Sequence, residues 1–248
     1  MSTLHPPHQV VDTAIGENLN PGPFVLASVL MSYPMDSMST SLPALLADEQ
    51  IVLPPELRAL VAKRTSSEDL QDLQSEYIAI FDNGRESNPI CETEYDRRRA
   101  LAKGKELSDI AGFYHAFGFE LDPSVEGLEM LDHVGIELEF YALLLMKQIH
   151  LMEIEAEQGV GIIEDGRKKF LQSHLGRFVR AISNRPGVQA SSFYGPVFNW
   201  GAALIEEECK KLNLTVEQAE WLDGPTQEKG PVNPDDKMEC GALGGCIN

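Results

Sequence analysis

The segment GLEMLDHVGIELEF, residues 127–140, sets four carboxylates (Glu129, Asp132, Glu137, Glu139) about one imidazole, His133. Glu129 and His133 are four residues apart, as are His133 and Glu137, so one helical face can carry all three. Two readings follow. Asp132 caps a helix that starts here, its carboxylate accepting free backbone N–H groups, and His133 packs in the first turn. Alternatively, the acid–imidazole pair forms a charged recognition point, because imidazole titrates near neutral pH. A di-iron centre is a third use of Glu and His on helices, and it needs Glu-x-x-His twice. The residues three before His115, His133, His150 and His174 are Gly112, Met130, Lys147 and Leu171, and none is acidic. That chemistry is excluded.

Cysteine chemistry has little to work with. Cys91, Cys209, Cys240 and Cys246 are too few and too scattered for a disulfide framework, so reduced thiols are expected. Cys240 and Cys246, with CGALGG leading from one to the other, match no common zinc spacing and fill only half of a tetrahedral shell. A metal- or redox-active protein using these two thiols is the rival to a pure binding function. No GxGxxG, GxxxxGK[ST], GxSxG, HExxH or CxxC pattern occurs, so no catalytic residues and no cofactor of the chain's own are assigned.

The elements that must position these groups read as helices throughout. Phe24, Leu26, Ala27, Leu30 and Met31 follow a helical period until Pro34 stops it, and Pro55 suits the first turn of a helix reaching Lys63. Leu70, Leu73, Tyr77, Ile80 and Phe81 step by three and four along one face. Residues 93–117 read as one or two helices ended by Gly118. The longest helix is expected over 135–158, with Leu138, Tyr141, Leu145, Gln148 and Met152 on one face and Gly159-Val160-Gly161 closing it. Its end is crowded by Glu153, Glu155 and Glu157, unfavourably for the helix dipole. Further helices are expected over 165–183 and from Pro196 toward Leu212. Strand alternation is missing. The class is all-α: one globular multi-helix domain over 24–223, between a flexible N-terminal arm (1–23) and a Gly/Pro-rich tail (224–248).

Bulk charge narrows the partners. The 39 acidic and 20 basic residues give a net charge of -19, the wrong sign for neutralising nucleic-acid phosphates and the right one for steering a basic partner. No stretch reaches the ~20 apolar residues needed to span a bilayer. The first residues carry no Lys or Arg and no compact apolar run, so no export signal is read and a cytoplasmic location is expected.

The segment 129–133, Glu-Met-Leu-Asp-His, resembles the E-P-x-D-H motif of the TorD/DmsD/NarJ family of redox-enzyme maturation chaperones, with Met130 in place of the usual Pro. Gly135-Ile136-Glu137-Leu138-Glu139-Phe140 is similar to the family's continuation of that motif. SEYIAIFDNGRESNPICETEY (75–95) resembles its aromatic–loop–Pro–acidic stretch, and KKFLQSHLGRFVRAI (168–182) its F-x-x-x-H-L helix. DIAGFYHAFGFEL (109–121) is similar to the branch serving type II DMSO-reductase-like enzymes, such as ethylbenzene and dimethylsulfide dehydrogenases and selenate and chlorate reductases. The resemblance implies a TorD-like helical bundle that is not an enzyme. It implies binding of the twin-arginine signal peptide, or another N-terminal segment, of a molybdoenzyme catalytic subunit, held until molybdopterin guanine dinucleotide is inserted in that client. It further implies a peptide site of Asp132 and His133 with Glu129 and Glu137, beside a groove wall of Tyr77, Ile80, Phe81, Pro89, Glu92 and Tyr95. A monomer or small homo-oligomer is expected. The alternative of an assembly subunit that stays with its enzyme remains open.

Overall fold

The computed structural model describes residues 19–64, 67–95, 99–121 and 130–219. Among them are ten α-helices and no strand. In order they are α1 (Gly22–Met31), α2 (Met38–Ala47), α3 (Pro55–Ala62), α4 (Ser67–Tyr77), α5 (Arg99–Ala116), α6 (Val134–Glu153), α7 (Glu157–Ser173), α8 (Leu175–Ser183), α9 (Pro186–Ala190) and α10 (Tyr194–Lys211). A π-helical turn, Ile78–Asp82, extends α4, and a short 3-10 turn, Glu92–Glu94, precedes α5. The all-α expectation is met.

α6 is the axis of the bundle. Val134, Leu138, Phe140, Tyr141, Ala142, Leu144 and Leu145 are all buried, so it is apolar on nearly every side and needs neighbours all round. It packs on α1 and α7, while α10 packs on α8 and α1. Gly135 sets the α1 contact: a Cβ there would collide with Ser32 Oγ. Aromatic rings fill the space between α5, α6 and α7. Tyr114 and Phe170 each lie 4.7 Å from Phe140, and Phe113 lies 5.4 Å from Phe170. Burying one such ring fully contributes roughly 1.5–3 kcal/mol.

Most expected elements form, with instructive shifts. Leu70, Leu73, Tyr77, Ile80 and Phe81 share the buried face of α4 and its π turn. Pro55 opens α3, and Gly118 takes the left-handed conformation (φ 64°) just beyond α5. The long helix expected over 135–158 instead ends at Glu153 and restarts at Glu157. The break is made by Glu155 at φ 56°, not by glycine, and Gly159 and Gly161 lie inside α7. Glu157 therefore sits in a first turn, where its charge suits the helix dipole. The expected 165–183 helix is likewise divided at His174 into α7 and α8. Pro43 lies within α2, next to the buried Leu42.

Candidate functional site

The loop that enters α6 meets the loop that precedes α5, and a pair of backbone hydrogen bonds joins them. Glu92 N donates to Asp132 O (2.8 Å) and Val134 N to Ile90 O (3.3 Å), which makes Cys91 and His133 an isolated antiparallel bridge. His133, not Asp132, caps α6: its Nδ1 accepts from Gly135 N at 3.0 Å. With Nδ1 accepting, a neutral ring carries its proton on Nε2, which faces Tyr77 Oη at 2.9 Å. Asp132 caps the neighbouring 3-10 turn instead, its Oδ2 accepting from Thr93 N (3.1 Å) and Thr93 Oγ1 (2.5 Å). The reason is geometric. The bridge turns the Asp132 backbone toward Glu92, so its side chain reaches the 3-10 turn and leaves the α6 amides to His133.

Behind this junction lies a cluster of buried acids. Asp132 and Glu137 are fully buried and Glu92 nearly so. Among the described residues, Asp132 Oδ1, Glu92 Oε1 and both carboxyl oxygens of Glu137 meet no donor. Burial first, then the charges of Glu92 and Asp132, hold the Glu137 carboxyl well above the usual carboxylate range. A protonated Glu137 supplies the missing donor, and Glu92 stands close enough to receive it. The second oxygen of Glu92 meets His174 Nδ1 at 2.9 Å, and His174 Nε2 meets Asp109 Oδ2 at 3.2 Å. His174 lies against Phe113 and Phe170. Cys91 nearby is a buried thiol, its pKa pushed up by burial and by Asp132, so it is not poised as a thiolate nucleophile.

A second buried ionic cluster ties α6, α7 and α10 together. Arg167 donates from Nη1 to Gln148 Oε1 (2.6 Å), from Nε and Nη2 to Tyr141 Oη (3.2 and 3.1 Å), and from Nη2 to Glu208 Oε1. Tyr141 Oη donates to the same Glu208 oxygen at 2.8 Å. Every nitrogen of this guanidinium thus has an acceptor, as a buried cation requires.

The structure brings Asp132, His133, Glu137, Glu92 and Tyr77 into one neighbourhood. Phe81 stacks on Tyr77 (4.8 Å), and Tyr95 Oη donates to Pro89 O (2.6 Å). Ile80, Pro89 and Tyr95 are buried with them. Glu129, Cys240 and Cys246 lie outside the described residues. Sequence reasoning assigned no role to His174 or Arg167. His174 was visible within Phe170-x-x-x-His174-Leu175, but its partners are 65 and 82 residues away. Arg167 lies four after Ile163 and three before Phe170, on the buried face of α7. A lone arginine in an apolar stripe was the signal. Among the described residues, no group of His, Cys, Asp or Glu is arranged to hold a metal ion. Among the same residues, no helix is long and apolar enough to cross a membrane.

A family model described as nitrate reductase delta subunit matches residues 47–184, more than half of the chain. The match runs from the end of α2 to the end of α8 and contains Glu92, Asp132, His133, Glu137 and His174. No curated protein matches the chain.

Proposed function

The chain belongs to the nitrate reductase delta subunit family of molybdoenzyme maturation chaperones, and from that premise we propose that it holds a basic N-terminal segment of a molybdoenzyme catalytic subunit. That segment is a twin-arginine signal peptide or its equivalent. The complex is held in the cytoplasm while the client receives molybdopterin guanine dinucleotide, before export. The chain contributes binding, not catalysis, and needs no cofactor of its own.

One observation carries this reading: the family match encloses the whole Asp132–His133 junction and the helices from α3 to α8 around it. Electrostatics favours it, since a net charge of -19 attracts a segment bearing two guanidiniums. Apolar surface is available as well. Ile78, next to Tyr77, and Met130, two before Asp132, are exposed. The junction residues themselves are buried, so their part in binding is to fix the backbone and field around such a surface.

Titration calorimetry tests the proposal, using synthetic twin-arginine leader peptides from molybdoenzyme catalytic subunits of the same cell. Binding that weakens as salt is raised is the expected result. No binding by any of these peptides at low salt contradicts it.

A further inference from the structure

An open groove of about 430 Å³ runs between α5 and α7, and neither Tyr77 nor Phe81 lines it. Its volume falls within the range of ligand sites, roughly 300–1,000 Å³. The two helices are antiparallel, since Asp109 meets His174 while Phe117 lies against Gly166. Phe113, Phe117 and Ile162 make its apolar lining, and Ile162 is 57% exposed. Asp109, Asp165 and Lys169 make its polar lining, with Asp109 61% exposed. No side chain of the described chain fills the middle, because a Cβ on Gly112 would meet nothing within 4 Å.

We propose that this groove docks a peptide segment in which a basic residue is followed by apolar ones, Asp109 and Asp165 receiving the cation and Phe117 and Ile162 the apolar side chains. This rests on the proposed function above and names a different surface for it than the Tyr77–Tyr95 wall. Charge selects the occupant. Two carboxylates outnumber the one lysine along the groove, on a chain whose acids outnumber its bases 39 to 20. An apolar groove rimmed by acids fits a segment that pairs guanidinium with leucine-like side chains.

The groove is also wired to the junction. Asp109 shares His174 with Glu92, and Glu92 N is bonded to Asp132 O. A guanidinium arriving at Asp109 competes with His174 for that carboxylate. The imidazole therefore senses occupancy, and the disturbance passes to Glu92 and its neighbour Glu137.

The test uses the full chain and a synthetic peptide of two adjacent arginines followed by a leucine–alanine run. Calorimetry compares wild type with Gly112→Trp, which fills the groove, and Gly112→Ala, which does not. Ile162→Glu, at an exposed position, gives an independent lesion should the tryptophan variant fold poorly. Gly112→Trp and Ile162→Glu are expected to weaken binding by about tenfold or more, and Gly112→Ala by less than about twofold. In wild type the peptide shifts the His174 ring resonances. Wild-type binding that both lesions leave within about twofold overturns the groove assignment while sparing the proposed function. A wild type that binds no arginine peptide overturns both.

Discussion

Two ionic clusters lie buried in this bundle, and they solve the same problem differently. Around Arg167, every guanidinium nitrogen has an acceptor, and Tyr141, Gln148 and Glu208 converge on it from two other helices. Around Glu137, three carboxyl groups crowd together, and four of their oxygens have no donor among the described residues. The first cluster is closed and locks α6, α7 and α10. The second keeps more acceptors than donors even with Glu137 protonated, and reaches the surface through His174 and Asp109. Buried polar groups without partners cost stability. A fold that keeps them beside its loop junction, while satisfying the other cluster completely, separates a part that holds from a part that responds.

Breaking the closed cluster has the largest expected effect. Arg167→Met leaves the Glu208 carboxylate buried without its cation, and should lower stability by roughly 3–5 kcal/mol. Urea unfolding at neutral pH measures this, and a loss under about 1 kcal/mol would show that the cluster locks nothing. Next comes the cap on the 3-10 turn. Thr93→Val removes the hydroxyl donor to Asp132 Oδ2, at a cost of roughly 1.5–3 kcal/mol, because the acceptor is charged.

The open cluster should respond in the opposite direction. Glu137→Gln supplies an amide donor to the idle oxygens of Glu92 and Asp132, and is expected to stabilise by about 1 kcal/mol at neutral pH. The pH dependence has a defined sign. A carboxyl that holds its proton more tightly folded than unfolded favours the fold at low pH, and that advantage fades as pH rises from the ordinary value of 4.5 through the raised one. Melting curves across that range should slope downward with pH for wild type and less so for Glu137→Gln. Equal slopes would mean Glu137 is not protonated in the fold. The smallest effect belongs to a surface copy of the closed cluster's pair. Arg180 Nε and Glu206 Oε1 are 2.6 Å apart but solvated, and Glu206 is depressed mainly by its hydrogen bond to Arg180. Arg180→Gln should cost less than about 1 kcal/mol.

The same contrast explains what could be read before the fold was known. Local periodicity made the α4 face, the Pro55 start and the Gly118 stop legible, because each depends on residues within a few positions. The division of 135–158 was not legible, since Glu155 takes a left-handed conformation that sequence rules reserve for glycine or asparagine. Asp132 and His133 were legible as a pair, but their capping roles fell to different segments. That choice depends on the Cys91–His133 bridge, between residues some forty positions apart. His174 and Arg167 act through partners on other helices, and periodicity carries no information about those. For Cys209, burial pushes the thiol up to about 11, a value no local motif foretells.

If the chain matures a molybdoenzyme, the molybdenum content of that client depends on it. The molybdoenzyme catalytic subunits are to be purified from cells with and without this chain, and their molybdenum measured per polypeptide. A client made without the chain is expected to carry markedly less molybdenum, and restoring the chain to restore loading. Full loading of every molybdoenzyme in its absence would contradict it.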